Sequence, residues 1–318
     1  MAPAQNQYAI ECTGLTRKFG TFTAVNGLSL KIKRGELFGF LGPNGAGKTT
    51  TINMLTTLLA PTSGTAKVAG FDLKDEAALV RARIGVVPQK FALFEELSPM
   101  QNLWYIGELY GMRKDEVIKR SEELLRIVML HDKRDIPSGT FSGGMKQRLS
   151  VAAGLIHSPD ILFMDEPTTG LDPQSRIALR ELTQSLNKSG ITIIYTTHDM
   201  DEADKICQRI AIVDHGKLVE LGTPKELKET QEYGCTIRLD LGRHDERLLG
   251  ELKDLTGATA MTASGKSVEL KIRKMKPGLV HAISAHLSKR GVSLDDLSVS
   301  QPTLEDVFVN LTKKELRD

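Results

Sequence analysis

Gly42-Pro43-Asn44-Gly45-Ala46-Gly47-Lys48-Thr49 is the stretch on which the fold turns. It fits the spacing Gly-x-x-x-x-Gly-Lys-Thr. Its flanks fit as well: the apolar run 36–41 predicts a strand that ends where the glycines begin, and 48–59 predicts a helix that starts where they end. Glycines so placed leave backbone N–H groups free to face an anion, and the helix N-terminus adds partial positive charge. In such a loop Lys48 holds the β- and γ-phosphates of a nucleotide, Thr49 offers its hydroxyl to Mg²⁺, and Thr50 follows in the first helical turn. The bland alternative is a chance glycine-rich turn, and the strand before and helix after argue against it.

Outward from that loop, short apolar strands alternate with helical patterns over the first 220 residues. Runs 161–164 (Ile-Leu-Phe-Met) and 191–195 (Ile-Thr-Ile-Ile-Tyr) are near-continuous, as strands buried on both faces are. The pattern predicts an α/β domain with a parallel sheet covered by helices. Between the two runs, Asp172 reads as an N-cap and Pro173 as the first helical residue. Ile177, Leu179, Leu182 and Leu186 then form the apolar stripe. Residues 91–158 read as a mostly helical insertion. One helix opens at Ser98-Pro99 and carries Leu103, Ile106 and Leu109. A second spans 114–130 with Val117, Leu124, Leu125 and Val128 on one face. After Thr223-Pro224 the order becomes strand, helix, strand, strand, helix, strand, the ferredoxin-like order of a small α+β domain, with a last helix from Thr303. The boundaries are 1–225 and 226–318.

Three further features carry chemistry. The strand 161–164 ends on Asp165-Glu166, at the carboxyl edge where a parallel sheet binds its ligand. Asp165 suits a metal-holding acid, and Glu166 is placed to take a proton from an attacking water. Ser142-Gly143-Gly144 opens a helix and reads either as an ordinary N-cap with flexible glycines or as a second anion site. His198 follows a strand at the same carboxyl edge, where it is either a turn residue or a ligand contact.

Composition narrows the classes. Lys and Arg total 42 against 40 Asp and Glu, so the net charge is +2 and the strongly basic face of a nucleic-acid binder is not expected. No run approaches the roughly 18 apolar residues of a membrane span, and residues 1–8 lack the pattern of a signal peptide. Cys12, Cys207 and Cys235 have neither disulfide-framework nor metal spacing. These features predict a soluble chain of a reducing compartment, the cytoplasm.

Taken in order, the pieces resemble the ATP-binding cassette (ABC) family, over about residues 8–225. The resemblance rests on the loop 42–49, Gln89, Ser142-Gly143-Gly144, Asp165-Glu166, Leu171-Asp172 and His198, with Ser142 lying 23 residues ahead of Asp165. It implies a phosphate-loop NTPase fold of the ABC type, with a RecA-like sheet core and a helical subdomain at about 91–158. It also implies ATP and Mg²⁺ as cofactors. Phe19 would stack on adenine, since stacking needs only a π-face; a core role is the alternative for it. Gln89 would approach Mg²⁺ and the attacking water, beside Thr49 and Asp165. Glu166 would be the base, and His198 the contact to the γ-phosphate. Ser142, Gly143 and Gly144 would bind the γ-phosphate of ATP held by a second copy in a head-to-tail homodimer, with Asp172 in the loop linking the two sites.

The family's common Leu-Ser-Gly-Gly-Gln is here Phe141-Ser142-Gly143-Gly144-Met145, which removes the last residue's amide. Pro302-Thr303-Leu304-Glu305-Asp306-Val307-Phe308 resembles the tail motif of daunorubicin-resistance-type ATPases. That resemblance implies the energising subunit of an ABC-2-type exporter of a drug, lipid or polysaccharide. It would sit peripherally on the cytoplasmic face of the membrane, docked on a separate permease through residues 91–109. The competing reading is a soluble ABC-type clamp acting on ribosomes or DNA. Two cassettes in one chain, or a long coiled-coil insertion, would mark such a clamp, and neither is present. The basic run 271–276 reads as a sheet edge protected by lysines.

Overall fold

The strand Leu37–Leu41 is buried at every residue and pairs in parallel with Thr192–Thr197 on one side and Arg209–Asp214 on the other. It belongs to a six-stranded sheet in the order Lys217–Gly222, Arg209–Asp214, Leu37–Leu41, Thr192–Thr197, Ile161–Asp165, Ile84–Val87. Only the Lys217–Gly222 edge pairs antiparallel. Ile161–Asp165 and Thr192–Thr197 are also buried throughout, as the unbroken apolar runs require. The register sets Leu41 beside Thr197 and Asp165 beside Thr196. The phosphate loop, Asp165-Glu166 and His198 therefore leave three neighbouring strands at one carboxyl edge.

The structure, a computed structural model, describes residues 7–230 and 234–315. It divides into two compact units, Met1–Pro224 and Lys225–Asp318. The first unit holds a second sheet that the reading of a single parallel sheet missed. Phe22–Lys33, Tyr8–Phe19, Ser63–Val68 and Phe71–Asp72 pair antiparallel in that order. The signal for it lies in Leu28-Ser29-Leu30-Lys31-Ile32-Lys33, where Leu28, Leu30 and Ile32 are buried and the residues between them are exposed. That alternation marks an antiparallel strand with one wet face. Ile10, Leu15, Leu28 and Ile32 share one core with Phe40, Phe163 and Ile194 of the parallel sheet and Ile52 of the helix Lys48–Leu55.

The helical region contains Pro99–Leu109, Lys114–Ile127 and Gly143–Leu155. The second helix stops at Ile127, three residues short of the expected end, and Met129 there takes a positive φ of 56°. Val117, Leu124, Leu125 and Val128 are buried as their spacing demands. Two assigned stripe residues are corrected. Ile177 is 47% exposed in Pro173–Lys188. At roughly 100° per residue it lies almost opposite Leu179, Leu182 and Leu186, which cluster on the buried side. Leu109, at 70% exposed, likewise falls about 120° from the buried Leu103.

In the second unit the strand order is Ala260–Ser264, Ser267–Ile272, Cys235–Leu241, Leu294–Ser300, all antiparallel. With helices Glu246–Thr256 and Leu279–Lys289 between strands, this is the ferredoxin-like arrangement. Its core is separate: Ile237, Leu239, Leu252, Val268, Leu270 and Ile283 pack together. The basic run does not start on an edge as expected, because Ser267–Ile272 is paired on both sides. Leu304–Glu315 starts as read: the Asp306 amide donates to Thr303 Oγ1 at 3.2 Å and the Thr303 amide donates to Asp306 Oδ2 at 2.9 Å.

Candidate functional site

Glycine is required at two points of the loop 42–49. Gly47 sits at φ 97°, and a Cβ there would stand 2.4 Å from the Ala24 carbonyl oxygen; one on Gly42 would stand 2.2 Å from that of Val213. The loop is thus pressed between the two sheets, and the helix Lys48–Leu55 leaves it with Gly47 as N-cap. Lys48 is 4% exposed, and its ammonium donates to the carbonyls of Gly42 at 2.7 Å and Pro43 at 3.0 Å. It also pairs with Glu166 Oε1 at 3.1 Å.

Glu166 gathers the remaining groups. Its Oε2 lies 3.1 Å from His198 Nδ1, and it accepts from Gln89 Nε2 at 3.4 Å and from Thr169 Oγ1 at 3.3 Å. Four residues scattered from 48 to 198 thereby meet on one buried carboxylate. Burial alone would raise this carboxyl, but the Lys48 ammonium and then His198 outweigh it and hold the group below its ordinary 4.5. Glu166 also adopts φ 44°. That left-handed backbone is uncommon for a residue with a Cβ and gathers at functional sites. Next to it, Asp165 is buried and accepts at Oδ1 from Thr196 Oγ1 at 2.6 Å.

A concavity of about 350 Å³ opens over this cluster, lined by Asn44, Gly45, Gly47, Lys48, Thr49, Thr50, Gln89 and Glu166 together with Phe22 and Ala24. It suits a polyphosphate: backbone amides, a lysine and a helix N-terminus face it. Ala46, within the same loop, is buried and not among the lining residues. Phe19 is not among the lining residues. Phe22, its cross-strand partner in the hairpin, is, while Phe19 lies under the Arg17 guanidinium at 4.6 Å from the ring centroid. The core role offered as the alternative for Phe19 is excluded by its 47% exposure, and Phe22 was not singled out from the sequence.

Ser142 and Asp172 are exposed and stand apart from that lining. Both are N-caps: Ser142 Oγ accepts from the Met145 amide at 3.3 Å and Asp172 Oδ1 from the Ser175 amide at 2.9 Å. Gly143 and Gly144 occupy the first helical turn after Ser142. The two readings of Ser142 are therefore compatible, since the cap uses the hydroxyl as acceptor and leaves its proton free for an anion.

Sequence reasoning missed Thr196, Thr168 and Glu202. Thr196 Oγ1 accepts from the Glu166 amide at 2.9 Å, and Glu202 Oε2 accepts from Thr168 at 2.8 Å and Thr197 at 3.1 Å. No motif marks them; the only signal is polar residues at the end of an apolar strand.

Among known families, residues 25–169 match the one described as ABC transporter. The chain is 37% identical over 310 residues to the linearmycin resistance ATP-binding protein of Bacillus subtilis, covering 97% of this chain and all of that one. It is 40% identical to the Nod factor export ATP-binding protein I of Ralstonia nicotianae, over 96% of this chain and 94% of the relative. It is 39% identical to the daunorubicin/doxorubicin resistance ATP-binding protein of Streptomyces peucetius, over 96% and 92%. Among solved structures, cbiO1 of Clostridium perfringens, part of the ABC transporter complex cbiONQ, superposes with a TM-score of 0.65 at 30% identity. That match covers 70% of this chain and 91% of the other.

Proposed function

We propose a transport role for this chain, which belongs to the ABC transporter family and is an ATPase: it energises export through a separate membrane permease. The observation that carries the reading is the meeting of Lys48, Gln89 and His198 on Glu166 at the floor of the phosphate cavity. Incoming phosphates compete for Lys48, which gives up Glu166 for a stronger anion. Glu166, relieved of its cation, becomes the better base for a water, with His198 beside it. Phe22, in the lining, offers its ring to a nucleobase, with Phe19 its cross-strand neighbour in the hairpin.

The donor set fits Mg²⁺. Among the described residues no three His, Cys, Asp or Glu gather into a metal cage, and Mg²⁺ typically takes one or two protein oxygens plus substrate phosphates and water. Thr49, Asp165 and Gln89 supply hard oxygens at the loop. When bound, the ion would neutralise charge on the β- and γ-phosphates.

Ser142, Gly143 and Asp172 are exposed and free to meet the nucleotide of a second copy, whereas Gly144, read with them from the sequence, is buried. The exposure of the other three supports a head-to-tail homodimer as the working unit. Phe91, Phe94, Trp104, Tyr105, Leu109 and Tyr110 are large apolar residues exposed between 91 and 110, a patch that suits docking on a membrane partner. Among the described residues no helix is long and apolar enough to cross a membrane. The relatives are named as ATP-binding proteins of resistance and export, and on that ground we place the bilayer part of the transporter in a separate permease, with this chain on its cytoplasmic face. The resistance and Nod factor export proteins named above favour export, and the cargo class we propose is a drug, lipid or polysaccharide. They lend nothing to a clamp on ribosomes or DNA.

Affinity purification of the tagged chain from detergent-solubilised membranes tests this. An integral membrane protein is expected to co-purify, and less of it after charge reversal at Glu95 and Glu96. Salt-sensitive retention on ribosomes or DNA, with no membrane protein recovered, would overturn it.

A further inference from the structure

The strand Thr192–Thr197 ends on two hydroxyls in a place where core packing asks for none. Thr196 is fully buried and Thr197 is 3% exposed. Thr196 spends its hydroxyl in both directions: the proton goes to Asp165 Oδ1 at 2.6 Å and the oxygen accepts from the Glu166 amide at 2.9 Å. A single side chain thus fixes the carboxylate of one acid and the backbone of the next. Thr197 donates to Glu202 Oε2 at 3.1 Å and accepts from the Asp199 amide at 2.9 Å. The same Glu202 oxygen accepts from Thr168 Oγ1 at 2.8 Å, on the turn that follows Glu166. Glu202 is 6% exposed, and its own amide donates to Asp199 Oδ1 at 3.0 Å.

We infer that Thr196 and Glu202 are positioning residues for ATP hydrolysis, an inference that rests on Glu166 being the base. Thr196 aims the Asp165 carboxylate and pins the Glu166 backbone. Glu202 ties the turn after Glu166 to the segment that carries His198, so that base and histidine keep one spacing. The strained φ of Glu166 supports this, because such a conformation persists only where surrounding contacts over-determine it. The Thr196 hydroxyl supplies the contact to its amide, and the Thr168–Glu202 bond holds the next turn. Neither Thr196 nor Glu202 is among the residues lining the cavity, so they act through Asp165, Glu166 and His198.

The test compares Thr196→Val, which keeps the shape and β-branching but loses the hydroxyl, with Thr196→Ser, which restores it. Hydrogen exchange of the nucleotide-free full chain is read on the peptide spanning 163–169, and kcat and KM for ATP are measured in parallel. For Thr196→Val the expected result is faster exchange in that peptide and a kcat lower by about 10–100-fold, the usual cost of losing a partner that orients a site ligand. KM should stay within about threefold, because the cavity contacts are untouched. Thr196→Ser is expected to recover both. A wild-type kcat in Thr196→Val overturns the proposal. So does a loss that Ser fails to restore, or one in which KM rises as much as kcat falls. Glu202→Gln reads the other half independently: lowered kcat with near-constant KM is expected, and unchanged kcat refutes its role. Glu166→Gln run alongside separates the two levels. If it is inactive while Thr196→Val is normal, only the positioning claim fails; if it turns over normally, the base assignment itself fails.

Discussion

Glu166 concentrates the site's electrostatics in one side chain, and its pH response follows from that. The carboxyl is held below 4.5 against the effect of burial by Lys48 and His198. A depressed carboxylate contributes stability that is present above its unfolded value and lost as pH falls through the folded one. The nucleotide-free wild type should therefore melt above Glu166→Gln near neutral pH, and the gap should close as pH drops below 4.5. A gap that stays constant down to about pH 3 would contradict the pairing. The thiols make a second residue-scale prediction. Burial pushes Cys12 up to about 11 and Cys207 higher still, and Cys235 is also buried. The native protein should resist a maleimide that labels all three cysteines once it is unfolded, since the thiolate is the reactive form.

Among the elements, the junction of two helices bears on the nucleotide site. Gly143–Leu155 and Pro173–Lys188 approach so closely that a Cβ on Gly144 would stand 2.2 Å from Ser175 Oγ and 2.6 Å from its Cβ. Ser175 is also the residue whose amide the Asp172 cap holds. Gly144→Ala is therefore expected to lower ATP-dependent dimerisation, and Ser175→Gly in the same chain should recover part of it. Absence of any such recovery would place the fault elsewhere. The strands and helices that frame the site were largely legible in the sequence. Glycine spacing, unbroken apolar runs and the Asp172-Pro173 start each reflect one local physical demand. What stayed hidden depends on neighbours far along the chain. Gln89 and Glu166 are 77 residues apart, and only the adjacency of Ile84–Val87 with Ile161–Asp165 brings them together. Thr196 and Glu202 have meaning only in register with Asp165 and Thr168. Phe19 and Phe22 face each other across a turn, so their roles follow from hairpin twist and not from either residue's type. The apolar stripe of Pro173–Lys188 was overdrawn by one residue, Ile177, because a count of apolar positions ignored the helical angle.

At the scale of the molecule, each unit has its own core, which suggests that either can fold alone. We read the ferredoxin-like unit as an accessory module that supports the dimer or regulates it. Residues 1–224 expressed alone should bind ATP with near-wild-type affinity yet dimerise at higher protein concentration. Dimerisation and ATPase both unchanged would remove that role. On the proposed reading the chain would work as half of a paired engine, one copy holding the phosphates through the loop 42–49 and the other closing the site with Ser142. Chemistry and assembly come together in the turnover of Glu166→Gln in the presence of ATP. Hydrolysis is expected to fall by about 10²–10⁴, with ATP remaining bound and the chain eluting as a dimer in size-exclusion chromatography. A normal hydrolysis rate in that variant would contradict the assignment of Glu166 as base and the mechanism built on it.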